Sequence, residues 1–511
     1  MKAGANAGMN AGTDAVTDAG TPQDTGGPGL PAAPAGPGSV TCSGAATGPG
    51  AAPGADRAFG ARLMAPLLLG SLLNPLNSTM IATALVAIGR DFHAGAADTA
   101  WLISAMYLAS AVGQPSMGRL ADRVGPRRVF VAGALTVCAA GVIGALAPSF
   151  ALLIVSRVVL GIGTAAAYPA AMAVLRAESR RTGLPTPRRV LGRLSLAALS
   201  SAAVGPTLGG LLAATAGWRA VFAVNVPLAL LALLGALAWL PADRKDARPG
   251  RAGTASGSLD PLGIALFAAA LTCAMVFLLR PADPPWPLLA PAGVFAGVLV
   301  WWQLRHPEPF LDLRMLARHG ALVRSYLRQG LAYLVIYCVL YGFSQWLEQV
   351  YGASSFQAGL ILLPMSLAAA VCSLVAARTK GVRAPLAVAA VCLGLGSAAL
   401  LLLQGTGPLV ALLCAGALFG IPQGLSSTGN QAAVYAQTPA DGVGAAAGLM
   451  RTAQYLGAIT ASGLIGLLYG QRASDSGLHE IALIGIALGL LLLVLTLADR
   501  GLRPGAMGNG D

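Results

Sequence analysis

The sequence predicts an all-α polytopic membrane protein with fourteen transmembrane helices: two six-helix bundles with two further helices inserted between them. Three observations carry this. The 511-residue chain is 56% hydrophobic, only 10% charged, and has a mean hydropathy of +0.69, more apolar surface than a soluble fold hides. The apolar residues gather in fourteen runs, most of them near the roughly 20 residues that cross a bilayer as a helix. The cations alternate between rich and poor loops along the chain.

The elements follow in order. Residues 1–56 are Gly, Ala, Pro and Thr with almost no large apolar side chain, too little to bury a core, so a disordered cytoplasmic tail is expected. No charged-then-apolar pattern of a signal peptide opens it. Runs at about 63–88, 100–117, 129–147, 150–175, 190–215 and 218–240 form the first bundle, within 57–240. Runs at 261–279 and 286–304 fall in the joining segment 241–318. Runs at 325–347, 356–377, 384–404, 408–436, 443–469 and 480–498 form the second bundle, within 319–500, and 501–511 is a second tail. The runs are continuous rather than alternating, which selects helices over a β-barrel.

Orientation follows from the basic residues. With the N-terminus inside, 26 of the 33 Lys and Arg fall in inner tails and loops and only Arg90, Arg219, Arg280 and Arg472 in outer ones. That asymmetry puts both termini in the cytoplasm of a multi-pass cell-membrane protein. All seven tryptophans lie near span ends, as an aromatic belt does. The net charge of +13 is spread through these loops, so no basic domain suggests nucleic acid as a partner. Six cysteines sit in apolar runs and Cys42 in the tail, none with CxxC spacing. The four histidines are scattered in loops. Neither set predicts a metal or other cofactor.

Charge concentrates in "GRLADRVGPRR", Gly118–Arg128, directly after the second run. A similar basic stretch, "ARTKGVR" (377–383), follows the tenth. Aligning Gly125 with Gly381 puts Arg127 on Arg383, a weak repeat of the kind found in carriers, with the substrate site between the halves. Gly118 and Gly125 permit a tight turn between spans. Asp122 is suited to accept hydrogen bonds at a helix N-terminus or to pair with arginine. The plainer reading gives the arginines only a topological role.

Together with three further stretches, this loop resembles the major facilitator superfamily, specifically its fourteen-span drug:proton antiporter branch. "GRLADRVGPRR" is similar to the family's loop motif at Gly118, Asp122, Arg123, Gly125, Arg127 and Arg128. "RVVLGIGTAAAYP" (157–169) resembles the fourth-span motif that begins with a membrane arginine, here Arg157. "SAAVGPTLGG" (201–210) resembles the fifth-span antiporter motif through Gly205, Pro206, Gly209 and Gly210. "LNSTMIATAL" (76–85) is similar to the branch's first-span signature, which often carries aspartate where this chain has Asn77. The resemblance implies a gate at the loop motif and proton-coupled exchange.

Polar residues within a bilayer tend to face a cavity or a neighbouring helix. The candidates for contact with a cargo are Asn74, Asn77, Tyr107, Gln114, Tyr337, Tyr341, Gln423, Asn430, Arg451, Gln454 and Tyr455. The tyrosines Tyr333, Tyr337 and Tyr341 recur every fourth residue and continue to Gln345 and Glu348, a stripe that equally suits helix packing. Arg157 and Arg451 fall well inside spans, whereas Arg328 lies near a span end where it could snorkel. No Asp or Glu occurs near mid-membrane, so Glu348 is expected to be the proton-linked carboxylate with Arg157 beside the pathway. The expected function is export of a small organic, drug- or antibiotic-like compound in exchange for protons, with no cofactor. No GxxxxGK[ST] motif suggests ATP. Uptake or metabolite exchange on the same fold is the alternative. A membrane scaffold or sensor is remote, because no folded soluble domain is evident, and nothing clusters as an enzyme's acids and bases would.

Overall fold

The computed structural model describes residues 59–182, 188–243, 260–279, 285–307, 309, 313–379, 381–437 and 443–502. Both expected tails therefore lie almost wholly outside the described residues. Every element described is helical. In chain order the helices are α1 (Ala61–Met80), α2 (Leu85–Phe92), α3 (Ala96–Val124), α4 (Pro126–Ala145), α5 (Phe150–Thr182), α6 (Arg188–Ala216), α7 (Arg219–Ala223), α8 (Asn225–Trp239) and α9 (Pro261–Leu278). There follow α10 (Leu289–Arg305), α11 (Leu313–Arg318), α12 (Gly320–Tyr337), α13 (Ser344–Gln349), α14 (Ser355–Arg378), α15 (Arg383–Leu400), α16 (Leu409–Gln437), α17 (Val443–Tyr469) and α18 (Asp475–Ala498). A π-helical turn, Cys338–Phe343, joins α12 to α13. Among the described residues, ten helices are long and apolar enough to cross a membrane, or eleven when α1 and α2, bent by 59°, count as one.

The packing repeats. In the first part of the chain α1 lies against α5, α6 and α8, α5 against α3 and α4, and α4 against α8. In the last part α12 lies against α16, α17 and α18, α16 against α14 and α15, and α15 against α18. Exchanging α1 with α12, α3 with α14, α4 with α15, α5 with α16, α6 with α17 and α8 with α18 turns one set of pairings into the other. Two seams join the sets, α3 on α17 and α6 on α14, and the same exchange interconverts them.

The loops show the repeat at atomic detail. Arg127 donates from Nη2 to the Leu237 carbonyl at 2.6 Å, near the end of α8. Arg383 donates in the same way to the Leu497 carbonyl near the end of α18. At the start of α4, Asp243 accepts from the Arg127 and Arg128 backbone N–H groups at 3.1 and 3.0 Å, satisfying donors that a helix N-terminus leaves open. Asp243 thus fills the role sequence reasoning gave Asp122, whose side chain lies outside the described residues. Gly125 has φ +110°, and a Cβ there would overlap the Asp243 carboxylate, so this turn requires glycine.

The two inserted helices, α9 and α10, pack chiefly on each other, and α9 also reaches α3 and α17. Asp260 ties them together. It accepts from the Gly263 N–H at 2.7 Å, Trp302 Nε1 at 2.8 Å and Gln303 Nε2 at 2.9 Å. The aromatic-belt expectation needs correction at two positions. Trp218 and Trp346 are buried and donate to Asp91 and Asp475 at 2.7 and 2.8 Å; their indole N–H groups anchor loops rather than meet headgroups.

Candidate functional site

A cluster of tyrosines sits where the two helix sets meet. It is assembled from α1, α3, α5, α12, the π-helical turn and α17. Tyr107 and Tyr341 share a hydroxyl–hydroxyl hydrogen bond at 2.8 Å, and Tyr341 also donates to the Ser78 carbonyl at 2.7 Å. Ring centroids lie 5.3 Å apart for Tyr107–Tyr337 and Tyr107–Tyr455, and 5.6 Å for Tyr333–Tyr337 and Tyr337–Tyr341. Gln114 donates to Tyr455 at 2.7 Å and Gln454 to Tyr337 at 3.0 Å. Asn74 accepts from Tyr455 at 3.4 Å and donates to Thr164 at 3.0 Å. Asn74, Tyr107, Gln114, Tyr337, Tyr341, Gln454 and Tyr455 are therefore brought together from both sets. The stripe on α12 serves this purpose because fourfold spacing keeps the rings on one face, and the π-helical turn carries Tyr341.

Two arginines flank the cluster. Arg157 is 2% exposed, donates from Nε to the Leu102 carbonyl at 2.9 Å and lies within electrostatic range of Tyr341 and Tyr107. Its hydrogen-bond partner is thus a backbone carbonyl. Arg451 stacks over Tyr168, 5.3 Å from Cζ to the ring centroid, and faces Tyr455 and Tyr333. Tyr168 belongs to the fourth-span stretch, and its place in the sequence motif did not reveal this contact.

Other candidates lie elsewhere. Asn77 donates to Asn225 on α8 at 2.5 Å and to the Leu73 carbonyl at 2.8 Å, a pairing within one helix set. Asn225 was legible only as a lone polar residue in an apolar run. Asn430 accepts from Arg328 Nε at 3.4 Å and donates to Gln329 at 3.0 Å. Arg328 does not snorkel: it is 2% exposed and pairs with Asp499 at 2.6 Å, while Arg324 reaches the other carboxylate oxygen at 2.9 Å. Burial alone would raise the Asp499 carboxyl, but hydrogen bonds from Arg324, Arg328 and the Gly501 N–H hold it below the ordinary carboxylate range. Gln423, on α16, buries its amide oxygen without a hydrogen-bond partner.

The seams close tightly at the end of the molecule where α3 begins. The Ala97 N–H donates to the Gly470 carbonyl at 3.1 Å, and Ser104 bonds Ser462. On the other seam Thr207 donates to the Gly359 carbonyl at 3.2 Å, and within the first set Thr83 donates to the Pro206 carbonyl at 3.3 Å. Side chains at Gly205, Gly209 or Gly210 would overlap Thr79, Met80 and Ser355 in turn; these glycines set how near α6 comes to α1 and α14. Toward the other end of α3, Gly118 faces Pro169 and Arg119 donates to the Pro309 carbonyl at 2.5 Å. Arg123 is exposed there.

Glu348 is 7% exposed. Its Oε2 accepts from Ser355 at 2.8 Å, and its Oε1 is buried without a hydrogen-bond partner. Arg90 lies within electrostatic range. Arg90 also lines a cavity of about 250 Å³ shared with Thr99, Gln345, Gln349, Gln471 and Arg472. Glu348 stands apart from the tyrosines, toward the closed end of the seams.

Comparison with known proteins agrees with this architecture. The profile of the Major Facilitator Superfamily matches residues 67–462. The Uncharacterized MFS-type transporter YwoD of Bacillus subtilis (strain 168) is 32% identical over 447 residues, covering 86% of this chain and 96% of its own. The Tetracenomycin C resistance and export protein of Streptomyces glaucescens is 30% identical over 420 residues, 80% of this chain and 75% of its own. Among solved structures, the inward open conformation of the xylose transporter XylE from E. coli superimposes with a TM-score of 0.59 at 14% identity, covering 87% and 98% of the two chains. That last likeness is one of fold.

Proposed function

Because the chain belongs to the Major Facilitator Superfamily and is a multi-pass membrane transporter rather than an enzyme, we propose that it exports a small organic, drug-like compound across the cell membrane in exchange for protons, by alternating access. The tyrosine cluster carries this reading. It draws side chains from both helix sets, so a bound compound would contact each, and rocking one set against the other would expose it to either face. On this reading α3, α6 and α17, of 29, 29 and 27 residues, also cross the bilayer. The count is then fourteen, as two six-helix bundles (57–240 and 319–500) joined by 241–318, with both termini cytoplasmic. The closed ends of the seams face outside, and loading from the cytoplasm requires the opposite ends to part.

The loop Gly118–Arg128 latches α4 to α8 at the cytoplasmic side; Gly205 and Gly209 seat α6 on α1, and Pro206 and Gly210 form the contact with α14 that shuts the outer side. Proton exchange is assigned to Glu348: one carboxylate oxygen is free, and the cavity beside Arg90 offers a water path from outside. The export relative of Streptomyces glaucescens supports efflux over uptake. Inverted membrane vesicles energised with a proton gradient test the proposal. Wild-type protein should accumulate dyes or antibiotics and lose them when the gradient collapses. Glu348→Gln should retain downhill exchange but lose its dependence on the proton gradient. Gradient-driven movement in the opposite direction would select the uptake reading instead.

A further inference from the structure

The charges around the tyrosine cluster suggest the substrate's own charge, an inference that rests on the transport reading above. Two guanidinium groups flank the cluster, Arg157 beside Tyr107 and Tyr341, and Arg451 over Tyr168. Among the described residues, no Asp or Glu balances them within the cluster. Of the acids in the helices, Asp122 lies two residues from the end of α3, Asp475 and Glu480 lie in the first two turns of α18, and Glu178 lies four residues from the end of α5 and pairs with Arg181 at 2.6 Å. Glu348 is one residue from the end of α13, beside Arg90. Asp98 is spent at the first turn of α3 on the Gly95 N–H at 3.0 Å. Arg328 is neutralised by Asp499. The middle of the pathway therefore holds two positive charges without counter-ions.

A lipophilic cation entering this site would be repelled by both arginines in a medium of low dielectric, where such terms are large. An anion would supply the missing counter-charge and accept from a guanidinium fork. The surrounding surface is aromatic: Tyr107, Tyr333, Tyr337, Tyr341 and Tyr455 offer ring faces and hydroxyl groups. We infer that the substrate is an aromatic organic anion, a carboxylate or phenolate carried on one or more rings. The inside-negative membrane potential then favours export directly, by about 50-fold per 100 mV for one charge, and Glu348 is needed only to add proton coupling to it.

Three ring systems of one size and different charge test this: 2-naphthoate, 2-naphthamide and 2-naphthylmethylammonium. Titrated into the purified protein with intrinsic fluorescence as the readout, the carboxylate should bind about tenfold or more tighter than the amide, the factor expected for one charge-assisted hydrogen bond. The ammonium should bind weakest. Arg451→Gln should remove the preference for carboxylate over amide, and Arg451→Lys should keep part of it. Equal binding of the three, preference for the ammonium, or binding of none overturns the inference, as does a preference unchanged in both Arg451→Gln and Arg157→Gln. Vesicle transport separates this from the export reading. Naphthoate that binds with the expected preference but never moves defeats export and leaves the charge class standing. Movement of the ammonium in preference to naphthoate defeats the charge class and leaves export standing.

Discussion

Asp499 shows how one side chain can fix a helix end inside a membrane protein. It joins the end of α18 to Arg324 and Arg328 on α12, and its carboxylate is fully enclosed. Replacing it with asparagine leaves Arg328 buried with no counter-charge, a loss of about 3–5 kcal/mol for a broken buried pair. Asp499→Asn should therefore unfold at lower temperature in detergent, with Arg328→Met plus Asp499→Asn recovering much of the difference. The pH dependence has a definite sign. The native carboxyl lies below its unfolded value, so its contribution is complete above pH ~4, the ordinary aspartate range. It is lost as pH falls from there through the native value. The thermal midpoint of wild type should fall in that acid window, and the fall should be smaller in Asp499→Asn. An identical acid profile in both proteins would remove the role assigned to this carboxylate.

Among the elements, α6 is the most demanding about side-chain size. Gly205, Gly209 and Gly210 place its backbone against Thr79, Met80 and Ser355. Within lipid, such contact replaces the hydrophobic effect as the force holding helices together. Gly210→Val cannot be absorbed by a flexible neighbour, because it meets the Ser355 backbone of α14 across the seam. Overpacking of this kind costs roughly 1–3 kcal/mol, and here it falls on the conformation with the outer seam closed. The expected outcome is a protein that inserts normally yet transports at least about tenfold more slowly, since 1.4 kcal/mol is already that factor. Its outer face should also label more readily with an impermeant thiol reagent at Thr207→Cys. Wild-type transport in Gly210→Val would show that the close approach is not needed for closure.

For the whole molecule, alternating access requires that the two seams open and close as units. Ser104 and Ser462 touch across the α3–α17 seam. Cysteines at both positions, in a background without the native cysteines, should cross-link under mild oxidation, stop transport, and release it again on reduction. Transport that continues in the cross-linked protein would mean that this seam stays closed through the cycle. Topology is a separate test at the same scale. Reporters fused after residue 50 and after residue 502 should both report the cytoplasm, because 26 of 33 basic residues lie on that side in the arrangement proposed. An external signal from either one would require a different number of spans.

Helices, their order and the family were legible in the sequence, since each rests on local properties: run length, loop charge and short motifs such as "SAAVGPTLGG". The pairing of Arg127 with Arg383 was legible too, because a repeat preserves spacing, and both arginines reach a carbonyl near the end of the equivalent helix. Partners were not. Nothing local distinguishes Asn74, which joins the tyrosines, from Asn77, three residues on, which bonds Asn225. The two differ only in which neighbour the helix turns each one toward. Asp243 and Asp499 carry no local signal of their roles, yet one closes the N-terminus of α4 and the other neutralises a buried arginine. Sequence by itself determined that this chain is a bundle of membrane helices with arginines but no acids at mid-depth, because hydropathy and charge are properties of each residue. Only the tertiary structure decided which polar groups satisfy one another and which gather where the two helix sets meet, because hydrogen bonds between residues as far apart as Gln114 and Tyr455 exist only once the helices have packed.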